Sequence, residues 1–162
     1  MPNTIRLTGC MPENGAKALC ELADDQGFTV AETGIPVHVE KGEEPAVVCD
    51  GENVTITWAE PVQFYRCLSQ IPQPLAKCDI HEKVGFKSSG VMFDCSRNAV
   101  LTPDCLRMFL RKMALMGLNL AMMYTEDTYE VPEQPFFGYK RGRYTYNELK
   151  AVDEYAGLFG IE

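Results

Sequence analysis

The stretch Gly90-Val91-Met92-Phe93-Asp94-Cys95-Ser96-Arg97-Asn98 is a short apolar run that ends in polar residues. A continuous apolar run of this length is typical of a strand buried on both faces of a parallel sheet. A second apolar run, 118–124, leads into Tyr124-Thr125-Glu126-Asp127-Thr128-Tyr129. Parallel α/β folds hold their substrates just past the carboxyl ends of the strands. Both stretches therefore predict ligand-binding residues at one edge of a parallel sheet.

A helix is predicted after each of these strands. Thr102 and Pro103 suit an N-cap and a first helical residue, and apolar residues then repeat at helical spacing until Gly117. Thr145 and Glu148 form a capping box, and the apolar pattern that follows extends to residue 159. A further strand is expected at the end of the chain. The order β-α-β-α-(β) predicts a parallel sheet with right-handed crossovers, a fragment of an α/β fold, over residues 84–162.

Residues 1–83 are predicted to form a separate α+β domain. Asp50-Gly51 lies between two strand-like segments, which is a strong signal for a β-hairpin. Ile71-Pro72-Gln73-Pro74 is expected to open a linker to the second region. The predicted helices of this domain are 16–23 and 61–69, and its predicted strands are 28–31, 36–40, 46–50 and 53–58.

Composition and charge exclude several classes of protein. The 162 residues are 46% hydrophobic and 23% charged, which indicates a globular chain, and no apolar stretch is long enough to span a bilayer. The net charge of −8 and the absence of a basic stripe argue against a nucleic-acid partner. The basic cluster 140–143 is interpreted as a surface charge group, in preference to an anion-binding site. The N-terminus lacks the pattern of a signal peptide.

The cysteines and histidines predict neither a metal site nor a cofactor site. The seven cysteines are an odd number without any Cys-x-x-Cys spacing, so reduced thiols in a cytoplasmic protein are expected. His38 and His81 are far from any pair of cysteines, which makes a zinc site improbable. The sequence contains neither a Gly-x-Gly-x-x-Gly motif nor a Walker motif, so a nucleotide-binding domain is disfavoured.

The segment 125–144 follows a strand and lacks clear periodicity, and loops of this length in compact domains tend to be functional. It contains several aromatic residues, among them Tyr139, which could either pack the loop down or line a sugar site. Glu126 and Asp127 are adjacent carboxylates on an extended segment and should point in opposite directions, so only one can readily face a substrate. Loop-ordering or a place at the rim of a site is the interpretation favoured for both.

The run 90–98 resembles the first barrel strand of glycoside hydrolase family 20, the β-N-acetylhexosaminidases, in which Arg-Gly and apolar residues precede Asp-x-Ser-Arg. The segments 115–119, 124–130 and 136–144 resemble a bacterial branch of that family, and residues 1–83 resemble the α/β domain that precedes its barrel. Ser89 stands where many members have arginine. The resemblance implies that residues 84–162 are the first two βα units of a (β/α)8 (TIM) barrel.

The resemblance also implies a function. Family 20 enzymes remove terminal N-acetylhexosamine with retention of configuration, and the substrate's own acetamide oxygen attacks C1. Arg97 corresponds to an arginine that binds sugar hydroxyls, and the alternative for it is a salt bridge with Asp94 at the strand end. Asp94, Glu126, Asp127 and Tyr139 are weaker candidates for contact with the glycan, and a structural role that anchors Ser96 or Arg97 is favoured for Asp94 over a catalytic one. Nothing in the chain corresponds to the family's catalytic Asp-Glu pair, so no catalytic residue is assigned and the chain alone should be inactive. A non-catalytic carbohydrate-binding or interaction module with the same fold is the alternative.

A barrel that stops after two βα units would leave strands 90–94 and 118–124 with unpaired edges. It would also expose the apolar faces of the helices at 103–116 and 146–159. Unpaired strand edges and exposed apolar patches can pair with the same surfaces of another copy of the chain, so self-association is expected.

Overall fold

The computed structural model describes residues 3–97 and 99–162, in which residues 3–81 form a six-stranded sheet covered by two helices. The strand order is β2-β1-β3-β5-β4-β6. The pairs β1–β2, β1–β3 and β3–β5 are parallel, whereas β4 is antiparallel to both β5 and β6. The elements are β1 (Asn3–Gly9), α1 (Gly15–Glu21), β2 (Phe28–Val30), β3 (Ile35–Lys41), β4 (Ala46–Cys49), β5 (Val54–Trp58), α2 (Pro61–Ser69) and β6 (Cys78–His81).

The predicted hairpin and the predicted helix at 61–69 are both present. Asp50 closes the hairpin between β4 and β5, since its Oδ1 accepts hydrogen bonds from the backbone N–H groups of Glu52 and Asn53 at 2.7 Å each. The sequence pattern missed β1 and β6. Strand β6 is only four residues long and lies at the edge of the sheet. It is a strand because its backbone pairs with β4, and its sequence is too short to show a periodic pattern.

Residues 90–157 follow the predicted order β-α-β-α. The elements are β7 (Gly90–Asp94), α3 (Pro103–Met116), β8 (Leu120–Tyr124) and α4 (Tyr146–Gly157). Strands β7 and β8 are parallel. Three of the predicted helix ends are confirmed: the Thr102 side chain accepts from the N–H of Cys105, Gly117 ends α3 at φ 77°, and Thr145 forms a capping box with Glu148. Helix α4 ends at Gly157, two residues before the predicted end of its apolar pattern. None of the described helices is long and apolar enough to cross a membrane.

Helix α2 lies between the six-stranded sheet and α3, so the two parts of the chain share one core. The Tyr65 ring packs edge-on against Phe64 and Phe159, with centroids 5.2 and 5.5 Å apart. The expectation that α3 and α4 expose their apolar faces is therefore wrong for most of both faces. Their buried side chains are Leu106, Leu110, Met113 and Ala114 on α3, and Val152 and Ala156 on α4.

The prediction that β7 is buried on both faces is wrong. Phe93 is its one buried residue, because the helices pack on one face of the β7–β8 sheet. On the other face, Met92 and Met122 are 62% and 49% exposed, and within the described residues nothing covers them. Their direct pairing across the two strands makes this face a small exposed apolar surface.

A group of polar contacts also joins the two parts. The Asp25 carboxylate, 12% exposed, accepts hydrogen bonds from Arg111 Nε at 2.6 Å and from Lys112 Nζ. Burial raises the pKa of Asp25, but the bonds from these two cations outweigh it, and the pKa lies below its ordinary value. Tyr155 continues the network, since its hydroxyl donates to Glu21 Oε2 at 3.0 Å.

Candidate functional site

The two polar stretches found in the sequence meet at one edge of the β7–β8 sheet. Asp94 and Tyr124 are the last register pair of the two parallel strands, so the residues after each strand leave the sheet side by side. The N–H of Cys95 donates to the Tyr124 carbonyl at 2.8 Å, which extends the pairing one step further. Asn98, the last residue of the first stretch, lies outside the described residues.

Asp94 anchors the turn that carries Arg97. Its Oδ1 accepts hydrogen bonds from the Ser96 hydroxyl at 2.6 Å and from the Ser96 N–H at 3.0 Å, while its Oδ2 pairs with Arg97 Nη1. The Ser96 hydroxyl, the Ser96 N–H and the Arg97 guanidinium together hold the pKa of Asp94 below its ordinary value. Asp94 is therefore an ionised acceptor at neutral pH. The Arg97 side chain is 71% exposed despite this anchor.

Glu126 follows β8 in an unusual conformation. Its φ of 49° lies in the left-handed region, which is uncommon for a residue other than glycine and frequent at functional sites. The Tyr124 hydroxyl donates to Glu126 Oε1 at 2.8 Å, and this bond raises the pKa of Tyr124. The charges of Arg97 and Asp94 also act on the Tyr124 hydroxyl, so both strand ends share one electrostatic environment.

Asp127 takes a different partner from Glu126. Its Oδ1 lies 3.3 Å from Arg141 Nε, and Arg141 Nη2 donates to the Ser96 carbonyl. The interpretation of the 140–143 cluster as a surface charge group is therefore wrong for Arg141, because it ties the loop after β8 to the turn after β7. Spacing could not reveal this role, since Arg141 and Ser96 are 45 residues apart in the chain.

Thr128 and Tyr144 form a buried support beneath this edge. Thr128 is 0% exposed, and its hydroxyl donates a hydrogen bond to the Cys95 carbonyl at 2.8 Å. The Tyr144 hydroxyl donates to the Leu101 carbonyl, and burial raises the pKa of this tyrosine. The sequence pattern gave no signal for Thr128, because a buried threonine in a loop looks like any polar loop residue.

The other titratable candidates lie away from this edge. His38 Nε2 is 4.0 Å from Glu40 and His81 Nε2 is 2.9 Å from Asp79, and both histidines are exposed. Across residues 3–97 and 99–162, no three His, Cys, Asp or Glu side chains are grouped so that they could hold a metal ion. Asp153 and Glu154 form an adjacent Asp-Glu pair in the sequence, but they lie within α4 and not at the end of a strand. Glu154 pairs there with Lys150 at 3.8 Å.

Comparison with known proteins gives a likeness of fold. No protein-family model and no curated protein matches the chain. An inactive mutant of the GH20 exo-β-N-acetylglucosaminidase from Vibrio harveyi superposes with a TM-score of 0.78 at 15% sequence identity, over 99% of this chain and 32% of that chain. The GH20 β-N-acetylhexosaminidase from Streptomyces coelicolor A3(2) gives a TM-score of 0.74 at 16% identity, over 99% of this chain and 40% of that one.

A third solved structure is a mutant Streptomyces plicatus β-hexosaminidase in complex with its product, N-acetylglucosamine. It has a TM-score of 0.75 and 16% identity, and the match covers 99% of this chain and 40% of that chain. This chain thus spans 32% to 40% of the length of these enzymes. The mixed α/β architecture predicted from the sequence is confirmed, and the chain has the fold of part of a GH20 β-N-acetylhexosaminidase.

Proposed function

We propose that this chain supplies part of the sugar-binding site of a retaining β-N-acetylhexosaminidase, and that Arg97 binds hydroxyl groups of the terminal N-acetylhexosamine. The observation that carries the proposal is the anchored, exposed guanidinium at the carboxyl edge of β7 and β8. This is the edge at which parallel α/β folds bind their ligands. The likeness of fold to GH20 enzymes supports the choice of substrate class.

The geometry of Arg97 suits the binding of hydroxyl groups. A guanidinium has five N–H donors in a fixed plane, and among the described residues its hydrogen bond is to Asp94 alone. The remaining donors can reach two neighbouring hydroxyl oxygens at once, because the fork is rigid. Asp94 holds this fork in place and carries a full negative charge of its own, so a hydroxyl that accepts from Arg97 can donate to Asp94.

The other predicted residues are assigned to the rim of the site. Glu126 and Asp127 leave β8 beside Arg97, but each already holds a partner, Tyr124 and Arg141 respectively. Their carboxylates can accept from sugar hydroxyls at the edge, and their main contribution is to order the loop. Tyr139 is exposed on the same loop and could stack on a sugar ring.

The chemical step belongs to groups that these residues do not supply. In substrate-assisted hydrolysis the acetamide oxygen attacks C1 while a general acid protonates the leaving oxygen. The sequence contains no counterpart of the family's Asp-Glu pair, which orients the acetamide and provides that acid. The proposed contribution of the chain is therefore to bind and orient the sugar.

The proposal is tested by replacing Arg97 with lysine, which keeps the charge and loses the planar fork. NMR titration of the 162-residue chain with N-acetylglucosamine should show shifts centred on residues 94–97 and 124–127, weakened in Arg97→Lys. In a protein that carries the complete barrel, the same change should lower kcat/KM by roughly 10- to 100-fold, about 1.4 to 2.7 kcal/mol. Arg6→Lys, an exposed arginine on β1, is the matched control.

Arg97 would serve only the turn if the kinetics of Arg97→Lys were within twofold of the unaltered enzyme. Sugar-induced NMR shifts that fall outside residues 94–97 and 124–127 would lead to the same conclusion.

A second candidate function is a carbohydrate-binding module, because this edge offers donors and acceptors without a general acid. Both candidates predict the same binding result. Hydrolysis of an aryl N-acetyl-β-glucosaminide by the protein that the whole reading frame encodes separates them.

A further inference from the structure

Two free cysteines face each other across strands β4 and β6. Cys49 is the last residue of β4 and Cys78 is the first residue of β6, and the two are register partners in the antiparallel ladder. Directly opposite residues of an antiparallel pair place their side chains on the same face of the sheet. The sheet itself therefore brings these two thiols together. The other five cysteines lie in helices or loops, at Cys10, Cys20, Cys67, Cys95 and Cys105.

The backbone spacing at this pair suits a disulfide bond. The Glu82 N–H donates to the Pro45 carbonyl at 3.0 Å, so the residues just beyond the end of the ladder form a hydrogen-bonded pair. Hydrogen-bonded and non-hydrogen-bonded pairs alternate along an antiparallel ladder, and the register makes Cys49 and Cys78 a hydrogen-bonded pair as well. The Cα atoms of such a pair are about 5.5 Å apart, and a disulfide bond needs about 4.4–6.8 Å.

A bond at this position would nevertheless be strained. The Cβ atoms of opposite residues are about 4.5–5.5 Å apart, with hydrogen-bonded pairs at the wide end, whereas a disulfide bond needs about 3.5–4.5 Å. Strand β6 lies at the edge of the sheet beside β4, so it can move toward β4 when the bond closes. Strained disulfide bonds are more easily reduced than relaxed ones. The bond is therefore expected to open and close reversibly.

The two thiols differ in their access to solvent. Cys49 is 4% exposed and belongs to the core, whereas Cys78 is only partly buried. Their present contacts are weak, since Cys49 Sγ accepts from the Gly51 N–H at 3.4 Å and Cys78 Sγ donates to the Val47 carbonyl at 3.9 Å. An oxidant from solution therefore meets Cys78 first. Burial raises the pKa of Cys78, so its reaction should be slower than that of an ordinary exposed thiol.

We propose that Cys49 and Cys78 form a modification site, at which a small-molecule disulfide such as glutathione disulfide closes a reversible disulfide bond between β4 and β6. The Cys78 thiolate attacks one sulfur of the oxidant and displaces one glutathione, which leaves a mixed disulfide on Cys78. The Cys49 thiolate then attacks the Cys78 sulfur and displaces the second glutathione. The two cysteines lose two protons and two electrons, and glutathione disulfide is reduced to two molecules of glutathione.

The bond would fix the strand through which the chain passes from the first sheet to the second. Strand β6 is four residues long, and Glu82, directly after it, accepts hydrogen bonds from Arg66 Nη2 at 2.9 Å and from Gln70 Nε2 at 2.6 Å. A short strand at the edge of a sheet opens locally more easily than the core does. A covalent bond to Cys49, which lies in the core, should suppress this opening. This role is independent of any binding of sugar.

The test is oxidation of the folded 162-residue chain with glutathione disulfide until no further change occurs. The remaining thiols are then blocked by alkylation, and the crosslinks are mapped by mass spectrometry. A peptide pair that joins Cys49 to Cys78 is expected, and reduced glutathione should open it. In the crosslinked chain, amide hydrogen exchange of residues 78–81 should be slower than in the reduced chain.

Three variants make the assignment specific. Cys49→Ala and Cys78→Ser should each lose the crosslink, and Cys49→Ala should keep glutathione on Cys78 as the mixed disulfide. Cys78→Ser decides the question if Cys49→Ala does not fold, because Cys78 is the less buried of the two. Cys20→Ser is the matched control, since Cys20 is an exposed cysteine on α1, and this variant should keep the crosslink.

Several results would overturn the proposal. One is a crosslink between other cysteines, or one of equal yield in Cys78→Ser. Another is modification of Cys10 and Cys20 while Cys49 and Cys78 stay reduced. A crosslink that reduced glutathione does not open would refute a reversible site. A crosslink that leaves the hydrogen exchange of residues 78–81 unchanged would refute the proposed restraint on β6.

Discussion

Replacement of Tyr65 tests whether the two parts of the chain unfold together. Tyr65 lies on α2, its side chain is 0% exposed, and its hydroxyl donates to the Leu158 carbonyl just after α4 at 3.1 Å. The bond thus joins residues 93 positions apart in the chain. Burial raises the pKa of Tyr65, so the phenol is neutral at any ordinary pH. The perturbation is Tyr65→Phe, which removes the hydroxyl and keeps the ring.

The expected loss follows from the buried hydrogen bond. The bond disappears and the Leu158 carbonyl is left unsatisfied, and together these effects cost about 1–2 kcal/mol, which is within the range for a buried acceptor that loses its donor. The ring contacts with Phe64 and Phe159 remain, so the cavity is no larger than one oxygen atom. A decrease of roughly 1–2 kcal/mol in the free energy of unfolding is expected. For a chain of this size that is about 3–6 °C in Tm.

Urea unfolding followed by circular dichroism measures this change. Because one core joins both sheets, a single transition is expected, and Tyr65→Phe should shift its midpoint without changing its slope. Tyr146→Phe is the control, since that side chain is 68% exposed and should change stability by less than about 0.5 kcal/mol. Two separate transitions, only one of them affected by Tyr65→Phe, would refute the view that the parts fold as one unit. Equal effects of the two variants would show instead that the buried bond from Tyr65 to Leu158 adds no stability.

The remaining predictions concern activity, association and pH. The purified 162-residue chain should not hydrolyse aryl N-acetyl-β-glucosaminides, because a general acid contributes about 10²–10⁴-fold in rate; turnover that a point mutation abolishes would contradict this. The exposed face with Met92 and Met122 should cause self-association that Met92→Ser/Met122→Ser weakens, whereas light scattering from a clean monomer at high concentration would argue against it. Asp25→Asn should destabilise the chain at pH 7. Since the folded pKa of Asp25 is lowered, its contribution is present above the unfolded pKa of about 3.9 and is lost as the pH falls through the folded pKa. The stabilities of the two forms should therefore converge below pH 4, and a constant difference in urea unfolding from pH 7 to pH 3 would disprove this assignment.

The sequence by itself determined the local elements and their order in the second region. The caps at Thr102 and Thr145 and the stop at Gly117 are local signals, because each depends on residues within one turn of a helix. The Asp50-Gly51 turn is local for the same reason. The parallel pairing of β7 and β8 followed from the order of elements, and with it the meeting of Asp94 and Tyr124 at one edge.

Only the tertiary structure decided which residues of that edge are free. Arg141 and Thr128 reach across to Ser96 and Cys95, and Phe136 and Tyr139 remain exposed while Tyr144 is buried. It also decided that α2 covers α3, which the sequence analysis had left exposed. Hydrophobic periodicity identifies the apolar face of an element but not the partner that buries it. Contacts between residues 30 to 90 positions apart depend on packing, and a single sequence carries no local signal for them.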